Sequence, residues 1–298
     1  MYEGDRMEPK LETLYTTYKP LLQSMAYRML GSVTEAEDIV QDLFIAYAQS
    51  PDSEIRNEKA YLIKMVTNRC INFLRSARKQ REVYVGPWLP EPQVSSIEER
   101  PDDSFMQREY ISYALLVLME HLTPVERAVF MLRETLDYSY QEIGELLNKT
   151  AINCRQIFSR AQKKLQPELT DTAAKADLSE RLAMSFIEAS RTGDFQSFVT
   201  MITEDAILLS DGGGRVRAAI NPIYGQERIF AFLHGIHTKR DASYQQHLIR
   251  VNGHYGILTH IGENIYSIIA FQLDPSHQKA QSIYLIRNPD KISHFHIL

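Results

Sequence analysis

Apolar residues recur at spacings of three and four from the start of the chain. Leu11, Leu14, Tyr15, Tyr18, Leu22, Met25, Ala26 and Met29 form one apolar face of a helix. Gly31 can end that helix by adopting positive φ. Ser32 with Glu35, or Thr34 with Glu37, offers a capping box for a second helix. That helix carries Ile39, Val40, Leu43, Phe44 and Tyr47, and Pro51-Asp52-Ser53 breaks it. A third runs from about Lys59 to Lys79, with Asn57 placed to cap it. The periodicity then stops: REVYVGPWLPEPQVSSIEERPDD holds four prolines and reads as a linker. Its Trp88 is a large apolar ring that calls for a partner surface.

Helices resume near Phe105. Thr123-Pro124-Val125-Glu126 combines a cap, a first-turn proline and an acid three residues on, and Ser139-Tyr140-Gln141-Glu142 is a second start signal. Asn148 ends that short helix and Thr150 can cap the next, which runs to about Leu165. Helix, short turn, helix is the proportion of a helix-turn-helix. Beyond Pro167 a helix from about Asp177 to Arg191 is followed by segments rich in β-branched and aromatic residues: AILLS (206–210), RVRAAI (215–220), YGILTHI (255–261), NIYSIIAFQL (264–273) and QSIYLIR (281–287). One helix, about Gln226 to Thr238, interrupts them. The pattern predicts two all-α modules followed by an α+β domain with a mostly antiparallel sheet.

A length of 298 residues favours more than one domain. The net charge of −5 gives no global sign of nucleic acid, so any such reading rests on local segments. Cys70 and Cys154 have no metal-ligand spacing and suit a reducing cytoplasm. No signal core or membrane-length apolar run is evident. The third helix with its flanks is locally basic, with Arg56, Lys59, Lys64, Arg69, Arg75, Arg78, Lys79 and Arg81 against the single acid Glu58, and Tyr61 and Phe73 interleaved. Cations and aromatics are what a single-strand binder needs, although a solvated basic face has the same composition. The second helix is the opposite, with Glu35, Glu37, Asp38 and Asp42 beside its apolar face. These acids suit either the helix dipole or a basic partner protein. The helix after Thr150 has no acid and carries Asn153, Arg155, Gln156, Ser159, Arg160, Lys163 and Lys164, types that read base edges in the major groove.

EAEDIVQDLFIAYAQS resembles the polymerase-binding helix of sigma region 2, and AYLIKMVTNRCINFLRSARKQ the part that melts and reads a −10 element. LTPVERAVFMLRETLDYSYQEIGELLNKTAINCRQIFSRAQKKL resembles sigma region 4, which reads a −35 element. With no further region between them, the pattern is that of the extracytoplasmic-function (ECF) sigma factors. WLPEP (88–92), DGGGR (211–215) and NPDK (288–291) resemble signature motifs of ECF factors with a fused C-terminal SnoaL-like domain, a cone-shaped α+β fold.

The resemblance implies region 2 over 1–80, a linker over 81–105, region 4 over 106–168 and the SnoaL-like domain over 175–298. It implies a non-catalytic cytoplasmic factor that binds RNA polymerase core and promoter DNA, and no membrane, cofactor or metal. Asp38, Gln41 and Asp42 would bind the polymerase. Tyr61, Lys64, Asn68, Arg69, Asn72, Arg75, Arg78 and Lys79 would meet the melted −10 strand. Thr150, Asn153, Arg155, Gln156, Ser159, Arg160 and Lys163 would face the −35 duplex. Trp88, Leu89, Pro90, Asp211, Gly212, Gly213, Gly214, Arg215, Asn288, Pro289, Asp290 and Lys291 would make regulatory contacts. In isolation Asp211 to Arg215 reads as a hairpin loop between two strands, and Asn288 to Lys291 as a turn.

Two further points stay open. An unidentified small ligand in the SnoaL-like cavity would suit a sensing or enzymatic tail whose sigma-like half supplies DNA binding only. Among the histidines, His234, His237, His254, His260, His294 and His296 are candidates for acid-base or metal work, with His294 and His296 expected to alternate on one strand. Surface or satisfied histidines are the simpler reading.

Overall fold

In the computed structural model the residues described are 4–49, 55, 57–81, 84–97, 111–165, 173–239, 243–274 and 279–295. The chain divides into two compact units, 1–80 with 118–165, and 81–117 with 166–298.

The first unit is helical. Helices α1 (Gly4–Leu30), α2 (Val33–Ala48) and α3 (Glu58–Arg81) form its N-terminal part. Ser32 accepts from the Glu35 amide at the start of α2, and Asn57 accepts from the Ala60 amide at the start of α3. Leu22, Met29, Leu43, Leu62, Ile63 and Val66 are fully or almost fully buried. Cys70 and Cys154 are free and buried. Burial pushes the Cys70 thiol up to about 12, so it stays protonated.

Helix α4 (Tyr113–Met119) carries the division between the units. It is followed by α5 (Pro124–Glu134), α6 (Tyr140–Leu147) and α7 (Ala151–Leu165). Thr123 with Glu126 and Ser139 with Glu142 close complete capping boxes. Asn148 ends α6 at φ +53, and the Asn153 amide donates to Thr150 Oγ1 at the start of α7. The turn between α6 and α7 is tight. A Cβ on Gly144 would stand 2.5 Å from the Lys149 carbonyl, so only glycine admits this approach. Phe158 in α7 stacks on Phe130 of α5 and meets Tyr140 of α6, tying the three helices together.

The two parts of this unit pack on each other. Arg127 of α5 is 2% exposed, and its guanidinium donates to the carbonyls of Met29 (2.5 Å) and Met119 (2.7 Å) and to Glu120 (2.9 Å). Arg28 donates to Thr135. A buried arginine that satisfies two backbone carbonyls and one carboxylate fixes the geometry around it.

The second unit is α+β. Helices α8 (Ala173–Thr192), α9 (Gln196–Thr200) and α10 (Gln226–His237) accompany a seven-stranded sheet. Its strands are β1 (Val94–Ser95), β2 (Ile202–Asp211), β3 (Ile223–Tyr224), β4 (Tyr244–Val251), β5 (His254–Ile261), β6 (Asn264–Asp274) and β7 (Lys279–Ile286). A short helix, α11 (Pro289–Ile292), follows β7. The order is β1-β4-β5-β6-β7-β2-β3, antiparallel throughout except for the parallel pair β2 and β7. Side-chain alternation gives the sheet two apolar faces. One holds Ile257, Ile269, Ile283 and Leu285 with residues of α8, α9 and α10, and the other holds Leu258, Ile268, Ala270, Tyr284 and Ile286 with Leu89, Tyr113 and Ile292.

Three sequence expectations fail here. RVRAAI (215–220) forms no strand, because the amides of Arg215 and Val216 both turn back to the Gly212 carbonyl and the chain curls instead of extending. Asp211 is the last residue of β2, and the loop after it is not a simple hairpin. His294 lies in a turn after α11 and not on a strand, and His296 lies outside the described residues.

Candidate functional site

Three helical surfaces and one buried network carry the chemistry. On α2, Asp38, Gln41 and Asp42 are all exposed, while Ala36, Ile39, Val40, Leu43 and Phe44 take the buried face. Spacings of three and four residues put the three polar side chains on one stripe.

On α3 the exposed stripe is Asn68, Asn72 and Arg75, opposite Val66, Cys70 and Leu74. Lys64 and Arg69 are half-buried. Tyr61 is half-buried with its ring edge-on to Tyr47 at 6.1 Å, so it is committed to packing between helices. Arg78 and Lys79 lie in the last turn of α3, with side chains outside the described residues.

On α7 the buried stripe Cys154, Phe158, Ala161 and Leu165 leaves Thr150, Asn153, Arg155, Gln156, Ser159, Arg160 and Lys163 exposed. The Arg155 guanidinium rests over the Tyr140 ring at 5.3 Å, which orients it. Sequence reasoning missed Ile152, which is 74% exposed on the same stripe as Gln156 and Ser159. Its signal was an isoleucine one turn before a glutamine on an otherwise polar face.

The network lies within the second unit and joins WLPEP, DGGGR and NPDK. The Asp211 carboxylate is fully buried and accepts four bonds: from Tyr84 Oη (2.5 Å), the Gly213 amide (2.9 Å), the Leu89 amide (2.9 Å) and Lys291 Nζ (2.6 Å). Lys291 also donates to the Leu89 carbonyl and stands 4.2 Å from the centre of the Trp88 ring. Asn288 donates to Tyr84 Oη at 2.9 Å. Burial first, and then the Asp211 carboxylate, push the Tyr84 phenol above its ordinary range, which keeps it a donor. A Cβ on Gly213 would stand 2.5 Å from the Asn288 side chain, and its φ is +63, so glycine is required twice over.

Further bonds extend the seam. Tyr113 Oη donates to the Pro90 carbonyl, and the backbones of Gln93 and Asn252 are joined through the Asn252 amide. Arg215 pairs with Asp290 at 3.0 Å, but both are exposed and add little. Pro289 begins α11, and Gly212 and Gly214 flank the Gly213 contact.

Among the described residues the candidate histidines do not converge. His234 is exposed on α10, His237 is half-buried, His254 begins β5, and His294 lies 3.5 Å from Glu91. His260 instead pairs with His247, outside the candidate set, through their Nε2 atoms at 2.9 Å. They are diagonal neighbours across β4 and β5, a relation that needs the strand register to be seen. Burial and then His260 lower the His247 pKa. Among the described residues no group of three or more histidine, cysteine or acidic residues could hold a metal ion.

Comparison with known proteins matches these surfaces to two domains. The sigma-70 region 2 family matches residues 14–80, and sigma-70 region 4 matches residues 112–165. The ECF RNA polymerase sigma factor SigJ of Mycobacterium tuberculosis is 28% identical over 281 residues, 91% of this chain and 90% of SigJ. The probable ECF sigma factor SigI of the same species is 29% identical over 191 residues, 63% of this chain and 65% of SigI. The crystal structure of SigJ superposes with a TM-score of 0.74 at 26% identity, covering 94% of this chain and 97% of that one. The likeness therefore extends through the C-terminal α+β domain.

Proposed function

The chain belongs to the ECF sigma factors of RNA polymerase, and we propose that its C-terminal unit restrains that activity in cis by strapping down the segment between its two DNA-reading modules. As a sigma factor it binds RNA polymerase core and promoter DNA and directs transcription initiation. A tail that merely borrows a DNA-binding half is not favoured, since regions 2 and 4 are both present. Among the described residues no helix is long and apolar enough to cross a membrane.

The observation that carries the restraint is the fully buried Asp211 with four donors, two of them, Tyr84 and the Leu89 amide, from the inter-module segment. The elements at −10 and −35 lie roughly 25 base pairs, or about 80 Å, apart along B-DNA. A free segment of roughly 30 residues reaches about 100 Å when extended. Fastened from Tyr84 to Ser95, it loses much of that reach. Within the first unit the Arg127 clamp on Met29 holds regions 2 and 4 together. Asp38, Gln41 and Asp42 are assigned to the polymerase, the α3 stripe to the −10 strand and the α7 stripe to the −35 duplex.

Tyr84→Phe tests the restraint. It removes one bond to Asp211 and one to Asn288, a loss of about 1–3 kcal/mol, without leaving a buried charge unpaired. A competent state that was scarce becomes more populated, so apparent affinity for core polymerase rises, by up to about tenfold per 1.4 kcal/mol. Core affinity is measured by titration and promoter-specific transcript by run-off at limiting core. Unchanged or weaker core binding by this variant would refute the restraint.

The −35 assignment has its own test. A holoenzyme selects sequences from a pool randomised over that element. Gln156→Ala relaxes one or two base positions by about 1–3 kcal/mol. Ile152→Ser relaxes a neighbouring thymine position, since its methyl-binding surface is lost. Selection profiles identical to wild type for both variants would remove α7 from the −35 groove.

A further inference from the structure

The face of the sheet opposite the strap holds a cavity that the sigma activity does not use. Together with its open mouth it contains about 540 Å3 of empty space, between α8, α10 and the ends of β2, β4, β6 and β7. The walls are mainly apolar, with Phe186, Leu208, Ile283 and Leu285 among them.

The polar atoms in it are unevenly satisfied. Arg287 Nε and His237 Nδ1 are buried with no hydrogen-bond partner, and both residues line the cavity. A buried donor left unmatched costs about 1–3 kcal/mol. The Arg287 guanidinium lies 4.3 Å from the centre of the Tyr266 ring and donates to the Arg217 carbonyl, neither of which neutralises its charge. Among the described residues no aspartate or glutamate lines the cavity. Among the described residues the site thus has a cation, two further polar atoms awaiting partners in His237 Nδ1 and Ser267 Oγ, hydroxyls from Ser190, Tyr244 and Tyr266, and no anion.

We propose that this cavity binds a small carboxylate with a compact apolar body. The carboxylate accepts from Arg287, and the apolar body lies among Phe186, Leu208, Ile283 and Leu285. The inference deepens the restraint reading and rests on the C-terminal unit being regulatory. The link between them is one strand: the Arg287 amide donates to the Asp211 carbonyl, and Asn288, which bonds Tyr84, is the next residue.

Titration of the full chain with hexanoate and with hexan-1-ol tests it, read by calorimetry and by the shift in unfolding temperature. Hexanoate is expected to bind saturably and at least about tenfold more tightly than hexan-1-ol. Arg287→Met, which keeps the volume and removes the charge, abolishes that preference. Ile283→Phe, which fills the cavity and keeps Arg287, weakens both probes together. Equal binding of the two probes, hexanoate binding that survives both substitutions, or no saturable binding of hexanoate overturns the proposal. The Tyr84→Phe titration of core polymerase contains no ligand, so the restraint stands or falls apart from this result.

Discussion

Asp211→Ala destabilises the C-terminal unit by about 3–5 kcal/mol and releases the segment from Tyr84 to Leu89. The size follows from what remains after the carboxylate is gone. Lys291 keeps its charge in a site where its side chain is 11% exposed, with the Leu89 carbonyl and the rings of Trp88 and Tyr84 among its remaining partners. The Tyr84 hydroxyl and the amides of Leu89 and Gly213 each lose an acceptor. The readout is built in, because Trp88 is the only tryptophan in the chain and lies against Lys291. Its fluorescence during urea unfolding reports this unit alone, and its midpoint moves down. The double variant Asp211→Leu with Lys291→Met recovers most of the loss, since removing both charges of a buried pair costs far less than removing one. A midpoint unchanged in Asp211→Ala would mean that the network contributes nothing to holding the segment.

Asp42→Arg, alone or with Asp38→Arg, abolishes promoter-specific transcription while leaving the fold intact. Both aspartates are exposed on α2, so no core contact is disturbed. Reversing a charge that is paired across an interface costs about 2–5 kcal/mol, at least roughly 30-fold in affinity for core polymerase. The loss is independent of promoter sequence and shrinks as salt is raised, because screening weakens the new repulsion along with the old attraction. Competition with the wild-type chain for core polymerase measures it. Full competition by the double reversal would remove α2 from the polymerase interface.

The helical half was legible because its signals are local. Thr123-Glu126 and Ser139-Glu142 carry both members of each capping box within four residues, and Asn148 and Thr150 mark the turn between them. The C-terminal network was legible only as three motifs wanting partners. Asp211 meets Tyr84 across 127 residues and Lys291 across 80, distances over which no periodicity speaks. RVRAAI misled because its composition suits a strand, while the Gly212 carbonyl captures two following amides and curls it. Arg127 gave no sign of its clamp either, since the carbonyl of Met29 lies 98 residues away. The His247 and His260 pair needed the strand register, and the cavity needed the packing of helix against sheet.

The distance between regions 2 and 4 in the free chain tests the restraint most directly. Probes at Ser76→Cys in α3 and Gln162→Cys in α7 occupy exposed positions, while the native cysteines are buried. Pulsed electron paramagnetic resonance then gives the distance distribution before and after core polymerase is added. The account predicts one short, narrow distance in the free chain, set by the Arg127 clamp, that lengthens by tens of Å, roughly the scale of the promoter separation, once polymerase is bound. A long or broad distribution in the free chain, or a short one that polymerase leaves unchanged, would contradict it.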